Sequence, residues 1–232
     1  MSDFLMIGSK DPAVRVLLHM DESSFKDVSR YKRAITNTGS VAVDGTNKVF
    51  GAGSAAMGTN KVLSFVHAAD VDLLDQDFTI DFRIRSTSST AGSFLSKDAT
   101  NPAGVLTGPV LITQGFNTRQ LFIDISTNSS LPAEFRIATA NEALTVNTWH
   151  HAAVTRSGGT IYGFLDGVLI DTAAIGTDPL ESNAYPWRIG AAGVTAASGL
   201  SYMQGQIDEF RMMIGKCAWT ANFTPPAKPY HP

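Results

Sequence analysis

Residues 78–85 carry the pattern that most constrains what this chain can fold into. In this segment, FTIDFRIR, apolar side chains occupy every second position, and polar or charged side chains occupy the positions between them. A period of two places the two sets on opposite faces of an extended strand, whereas a helix would mix them. The segment therefore predicts a half-buried strand, and Asp81, on its polar face, is predicted to face solvent.

Strand signals of this kind recur along most of the chain. Leu121–Ile125 alternates in the same way, residues 150–172 are typical of a three-strand meander, and residues 204–214 form the last long candidate. Within the meander, Asp166-Gly167 predicts a two-residue hairpin turn, since these residue types accept the positive φ that such a turn requires. Shorter candidate strands lie at residues 14–19, 41–43, 48–50, 62–66, 93–97, 109–113, 134–138 and 187–189.

The spacing of these segments indicates the fold class. Helical periodicity is confined to residues 69–75, so the alternating helices that a parallel α/β sheet requires are missing. Many short strands separated by Gly, Asn, Asp and Ser turns are typical of an antiparallel sandwich. We therefore predict an all-β fold with two sheets.

Composition and charge argue against several classes of function. The formal net charge is −3 at pH 7 and no stripe of Lys and Arg is present, which argues against nucleic acid as a partner. Cys217 is the one cysteine, so an intramolecular disulfide is impossible. No run approaches the roughly 18 apolar residues of a membrane span. Residues 1–10 lack the features of a secretory signal, so we expect a protein made in a cytoplasm.

Several pieces of the chain carry a family resemblance when taken in order. They are LLHMD at 17–21 with Phe25 and Asp27, FGAGSAAM at 50–57, DFTIDF at 77–82, and the pair formed by WHHAAVTR at 149–156 and GQIDEFR at 205–211. Together they resemble the laminin-G-like family within the concanavalin A-like lectin and glucanase superfamily. The resemblance implies an all-β, antiparallel two-sheet jelly-roll sandwich over residues 14–215.

The two ends of the chain lie outside this resemblance. We expect residues 1–13 to form an N-terminal arm and residues 216–232 to form a proline-rich C-terminal tail. Proline has no backbone donor for a sheet, so the tail should be extended and lie across a surface.

A narrower resemblance concerns function. The ending ANFTPP at 221–226 and the opening VLLHMD at 16–21 are similar to those of laminin-G-like domains in tailed-phage virion proteins. This implies a non-enzymatic virion protein, either a capsid decoration or a tail-associated component, made in the host cytoplasm. Its partners would be other virion proteins or further copies of itself, with weak adhesion to cell-surface glycans. The alternatives are a calcium-dependent carbohydrate-binding module and, as the third, a glycan hydrolase.

The hydrolase alternative depends on paired carboxylates. A retaining glycosidase needs two of them about 5–5.5 Å apart, and laminarinase-type relatives of the fold place them in a Glu-x-Asp-x-x-Glu motif. That motif is absent, and so is the Gly-x-Ser-x-Gly of many serine hydrolases. We therefore predict no catalytic residue. The glutamates are Glu22, Glu134, Glu142, Glu181 and Glu209, none within four residues of another.

Asp208 is the most informative single residue, because a period of two places it on the apolar face with Phe210 and Met212. A carboxylate on that face needs a partner, since an unpaired buried charge is costly. One alternative is that it caps backbone N–H groups at the entry of its strand. The other follows from the family resemblance: a structural Ca²⁺ bound by Asp208, with Asp21 of the opening turn as a second ligand. No other cofactor is expected.

Exposed aromatic residues are the usual contacts of a glycan or a protein partner. Trp219 and Tyr202 are the candidates for that role in this chain. Trp219 follows the last strand and begins the proline-rich tail, so it is also predicted to pin the tail to the body.

Overall fold

The structure, a computed structural model, describes residues 11–100, 106–127, 134–193 and 201–231. The expected N-terminal arm therefore lies almost wholly outside the described residues. A 3-10 turn occupies Ala69–Val71, where the helical turn was predicted. The strands are β1 Val14–Leu18, β2 Thr36–Thr38, β3 Ala42–Asp44, β4 Ser54–Met57, β5 Val62–Phe65, β6 Phe78–Ser86, β7 Gly92–Ser96, β8 Ala99–Thr100, β9 Leu106–Thr107, β10 Val110–Gln114, β11 Leu121–Ile125, β12 Phe135–Ala138, β13 Trp149–Ser157, β14 Thr160–Leu165, β15 Val168–Ala174, β16 Trp187–Ile189, β17 Ala191–Ala192, β18 Ser201–Tyr202 and β19 Gly205–Ile214.

The strands form two large antiparallel sheets. The front sheet has the order β15-β14-β13-β6-β19-β4-β3, with β1 also paired to β19. The back sheet has the order β12-β11-β10-β7-β16-β5-β2. Two short ladders, β8-β9 and β17-β18, complete the described pairings. The predicted all-β, antiparallel two-sheet sandwich is confirmed. No helix among the described residues has the length and apolar character needed to cross a membrane.

An array of aromatic rings joins the two sheets through the core. Phe82 and Phe210 belong to the front sheet, and their ring centroids lie 6.0 Å apart. Phe65 and Trp187 belong to the back sheet and stack at 6.3 Å, and Phe65 reaches Phe210 across the sandwich at 6.4 Å. All four side chains are almost completely buried. Their mutual packing joins β6 and β19 of the front sheet to β5 and β16 of the back sheet.

Strand β19 contains a bulge where it changes partner. Its residues up to Ile207 pair with β4 and those from Phe210 pair with β1, while its register against β6 shifts just after Asp208. Glu209 adopts a φ of 50° at this point. Ile207 and Phe210 both belong to the core, so Asp208 lies on the outer face of the sheet, beside Arg83. The predicted face was wrong because a bulge inserts one extra residue and reverses the alternation.

The aromatic array leads to a test of the fold. Replacing Phe210 with Ala should lower the free energy of unfolding by about 3–5 kcal/mol, because it removes the ring that bridges the sheets and leaves a cavity. Denaturant unfolding followed by tryptophan fluorescence measures this loss. The control is Phe116→Ala, a ring that is 64% exposed, which should change stability by less than about 0.5 kcal/mol. Equal effects for the two variants would contradict the assignment of the core.

Candidate functional site

The C-terminal segment, residues 216–231, covers the outer face of the front sheet without forming regular secondary structure. The Phe223 N–H donates to the Gly167 carbonyl at 2.8 Å. Gly167 has a φ of 78° in the predicted hairpin turn, and a Cβ there would lie 2.0 Å from the Phe223 carbonyl oxygen. Three side chains of the sheet donate to backbone carbonyls of this segment: Thr79 to Lys216 at 2.9 Å, Thr155 to Trp219 at 2.6 Å and Arg83 to Pro226 at 2.6 Å.

Aromatic rings anchor the segment. The Trp219 ring lies parallel to the Phe223 ring, with centroids 3.8 Å apart. His151 meets both rings edge-on at 5.9 and 5.7 Å, and Phe164 meets Phe223 at 5.3 Å. Trp219 therefore pins the segment to the sheet, as the sequence predicted.

Asp81 lies beneath this segment and is completely buried, so its predicted exposure to solvent was wrong. Arg211 Nε donates to Asp81 Oδ1 at 2.9 Å, and His151 Nε2 lies 3.1 Å from Oδ2. The Tyr230 hydroxyl donates to the same Oδ2. Burial alone would raise the pKa of the Asp81 carboxyl, but the Arg211 guanidinium and the bond to His151 hold that pKa below its usual range. The face is polar as predicted, but the tail, not water, covers it.

Tyr230 completes the cluster from the far end of the tail. Burial raises the pKa of its hydroxyl, and the adjacent Asp81 carboxylate adds to the rise, so the hydroxyl stays protonated and remains a donor. Its ring lies 3.8 Å from the Arg211 guanidinium, which stacks over it. Sequence reasoning missed Tyr230; the signal that could have found it is an aromatic residue directly after Pro229 in the proline-rich ending.

A cavity of about 680 Å³ opens between the two limbs of this segment, and we call it the tail groove. Residues 216–219 form one wall, residues 226–231 form the other, and Arg211 and Met213 form the floor. Trp219 and Tyr230 face the cavity from opposite walls, and the Arg211 guanidinium lies 5.6 Å from the Trp219 ring. Aromatic rings beside a fixed cation suit a ligand that has apolar faces and polar edges.

Tyr202, the other predicted contact residue, lies elsewhere. It is half-buried in β18, which pairs with β17 beside β7 of the back sheet. The structure therefore does not bring Tyr202 into the tail groove with Trp219.

Asp208 and Asp21 meet at one loop, residues 48–53, which covers the outer face beside β19. This loop is where the strand at 48–50 was predicted, and it is not a strand because carboxylates bind its N–H groups. Gly51, with a φ of 59°, lies so close to Asp21 that a Cβ there would approach Oδ1 to 2.1 Å. Asp208 Oδ2 accepts from Val49 at 2.8 Å and Phe50 at 3.2 Å, and Asp21 Oδ1 accepts from Ala52 at 2.5 Å and Gly53 at 3.0 Å.

This geometry favours the capping alternative for Asp208 over the calcium alternative. Amide N–H groups occupy lone pairs that a cation would need, and no group of three or more His, Cys, Asp or Glu side chains converges within the described ranges. The remaining oxygen, Asp208 Oδ1, is buried and accepts no hydrogen bond from the part of the chain described. A structural Ca²⁺ at Asp208 and Asp21 stays a prediction, because one buried acceptor is open to it.

The pKa of Asp208 leads to a pH-dependent test. Burial raises this pKa to about 6, against the opposing hydrogen bonds from Val49 and Phe50. The folded state then binds a proton that the unfolded state releases between pH 4 and 6, so stability falls as pH rises through that window. In the Asp208→Asn variant, the amide oxygen can still accept hydrogen bonds from the loop, but the side chain carries no charge and does not titrate. Relative to this variant, the parent chain should lose roughly 3 kcal/mol between about pH 4 and about pH 7.

The same measurement separates capping from metal binding. Urea unfolding of both proteins across the pH window gives the difference directly, and adding calcium or a chelator is the control. If Asp208 only caps the loop, calcium changes neither curve. Calcium-dependent stabilisation of the parent chain at neutral pH, absent in Asp208→Asn, would establish the metal site and contradict pure capping.

Comparison with known proteins agrees with this architecture. The family model described as the concanavalin A-like lectin/glucanases superfamily, Laminin_G_3, matches residues 58–215. The chain therefore belongs to the concanavalin A-like lectin/glucanase superfamily. No curated protein matches it.

Solved structures with this fold include binding domains of clostridial toxins. The binding domain of Paraclostridial Mosquitocidal Protein 1 superposes with a TM-score of 0.66 at 13% identity, over 87% of this chain and 48% of that one. The receptor binding domain of botulinum neurotoxin D gives 0.66 at 10% identity, over 89% and 50%. The serotype D ligand binding domain in complex with N-acetylneuraminic acid gives 0.65 at 10% identity, over 90% and 49%. This chain spans about half the length of these structures, and the likeness shows the fold alone.

Proposed function

We propose that this chain is a non-enzymatic binding domain that holds a carbohydrate in the tail groove. The observation that carries the proposal is the placement of Trp219 and Tyr230 on opposite walls of an open cavity, with Arg211 between them. The lectin-like fold supports it, as does the presence of a sugar-bound toxin domain among proteins of similar fold.

The groove offers the chemistry that sugar recognition needs. A pyranose ring has apolar C–H faces that pack on aromatic rings, and its hydroxyl groups accept hydrogen bonds from cationic side chains. Asp81 holds Arg211 from below, so the guanidinium needs little reorganisation when a ligand arrives. Lys228 stands exposed at the rim as a further donor, beside Lys216, which pairs with Asp11.

The positions of the carboxylates support a binding function without catalysis. None of the described residues that line the tail groove is Asp or Glu, so no acid and base face a ligand there. Asp81 beneath the groove is sealed from solvent and already bonded to Arg211, His151 and Tyr230. A glycan hydrolase needs two carboxylates open to the substrate, so we do not propose that activity.

A binding experiment tests the proposal. Ligands are first found by screening the full chain on a glycan array, and the best is measured by titration calorimetry. Trp219→Ala should weaken its binding at least about tenfold, or ~1.4 kcal/mol, because the sugar loses its stacking surface. Trp219→Phe keeps an aromatic face and should retain most of the affinity.

Two controls make the result interpretable. Phe116→Ala removes an exposed ring far from the groove and should leave binding unchanged, and melting temperatures identify any variant that merely loses its fold. Tyr202→Ala tests the second predicted contact residue. If it abolishes binding and Trp219→Ala does not, the ligand site lies at β17-β18 and the proposal for the tail groove is wrong.

The second candidate function is assembly in a virion, supported by the phage-like ANFTPP ending within the docked tail. We propose that the chain is a capsid decoration or tail-associated component, with other virion proteins or its own copies as partners. Mass spectrometry of purified phage particles from the source culture should then find it in fixed stoichiometry, and light scattering should show an oligomer. A monomer that is absent from purified particles yet binds glycans would contradict this role.

A further inference from the structure

A second cavity adjoins the tail groove across strand β1. It measures about 520 Å³ and lies between residues 24–28 and residues 32–35; we call it the loop pocket. Its wall residue Val28 packs in a small hydrophobic cluster on β1 and β19 that also contains Met213 and Tyr230. Met213 and Tyr230 line the tail groove. Residues of one shared cluster therefore line both cavities, so the cavities are neighbours on either side of it.

A buried carboxylate fixes the conformation of the loop that forms the loop pocket. Asp27 is 5% exposed and accepts hydrogen bonds from the backbone N–H groups of Leu17, Ser29 and Arg33. These bonds hold both walls of the pocket against β1. They also turn the Asp27 carboxylate, the only acidic group among the described lining residues, towards the protein. The charged groups at the open side of the pocket are therefore cationic.

Both cavities are rimmed by cations, although the whole chain carries a net charge of −3. Lys32 and Lys228 form no ion pair with any residue that the structure describes, and Lys26 and Lys216 form only exposed pairs. The cationic lining residues are Lys26, Lys32 and Arg33 in the loop pocket and Arg211, Lys216 and Lys228 in the tail groove. Arg33 is paired with Asp70 and Arg211 with Asp81, so Lys32 and Lys228 are the lining cations that no described carboxylate neutralises.

Further cations lie beside the loop pocket. The Arg15 guanidinium lies 4.9 Å from the centroid of the Tyr31 ring, and Arg30 lies 6.0 Å from it. Arg15 belongs to β1, the strand between the cavities. Arg15 and Arg30 therefore add positive charge beside the loop pocket.

We infer that an acidic polysaccharide, bearing about one carboxylate on each sugar, lies across β1 and occupies both cavities; this rests on the proposed function of the tail groove. Two neighbouring cavities with apolar walls suit successive sugar rings. Each cavity also has one lysine, Lys32 or Lys228, that forms no ion pair with a described residue, which matches one charge per ring. A nucleic acid would require a denser basic stripe to neutralise its phosphates. With the loop pocket, the site prefers longer and negatively charged ligands, a preference that the tail groove alone lacks.

Ligand length and charge test the inference. The full chain is titrated with oligogalacturonates and with oligomers of N-acetylneuraminic acid, from disaccharide to hexasaccharide. Affinity should rise about tenfold or more over this range, because the second cavity engages a ligand already held at the first. It should fall on the order of tenfold when salt is raised from about 50 to about 200 mM, through loss of ion pairing. Methyl-esterified oligogalacturonates of equal length, which are neutral, should lose the gain with length.

Paired substitutions locate the effect. K26Q/K32Q should remove the gain with length and leave disaccharide affinity unchanged, whereas K216Q/K228Q should weaken the disaccharide as well. K48Q/K61Q removes two lysines that line neither cavity and should match the parent chain. Melting temperatures confirm that each variant is folded.

Several outcomes would overturn the inference. One such outcome is that the disaccharide binds but affinity does not increase with ligand length, and another is that the increase is unchanged in K26Q/K32Q. Either result would show that the loop pocket is not part of the ligand site, while the proposed function of the tail groove would stand. Equal binding of the neutral esters would remove the requirement for charge. Equal competition by single-stranded DNA of the same charge would show a general polyanion surface instead. Failure to bind any acidic or neutral oligosaccharide would overturn both the inference and the proposed function.

Discussion

An ion pair between Asp81 and Arg211 joins the two central strands of the front sheet, and the outer surface is arranged to cover it. A carboxylate removed from water costs several kcal/mol unless donors surround it, and here Arg211, His151 and Tyr230 are those donors. One of the three comes from the tail, so the tail must lie across the sheet for the pair to be satisfied. The tail groove exists because the two limbs of that segment meet the sheet at different places.

Acidic side chains also hold loops of the outer layer. Asp27 holds the loop of the second cavity, and Asp21 and Asp208 hold the loop at residues 48–53, all by accepting backbone N–H groups. These acidic side chains therefore lie on the inside of the outer layer. Outside it, Glu22 and Asp11 pair with Lys26 and Lys216, whereas Lys32 and Lys228 form no ion pair with a described residue. A chain with a small negative net charge can in this way leave beside each cavity one lysine that no described residue pairs with.

The sequence predicted the sandwich well because alternation is a local property. Residues 78–85 became β6 and Leu121–Ile125 became β11, each with its apolar set facing the core, and Asp166-Gly167 forms its hairpin turn. Residues 48–50 failed as a strand for a non-local reason. Asp21 and Asp208, far away in the sequence, bind the N–H groups in this loop, and no pattern in the loop itself shows that.

The amino-acid order by itself determined the two-sheet fold, the extended tail and the role of Trp219 as its anchor, because these depend on side-chain period and on prolines that cannot join a sheet. Only the tertiary structure decided which face Asp208 occupies, since a bulge of one residue reverses the alternation along β19. It alone brought Tyr230 to Asp81 and placed two cavities on either side of one hydrophobic cluster. Those contacts join distant parts of the chain, and their partners are chosen by packing rather than by spacing.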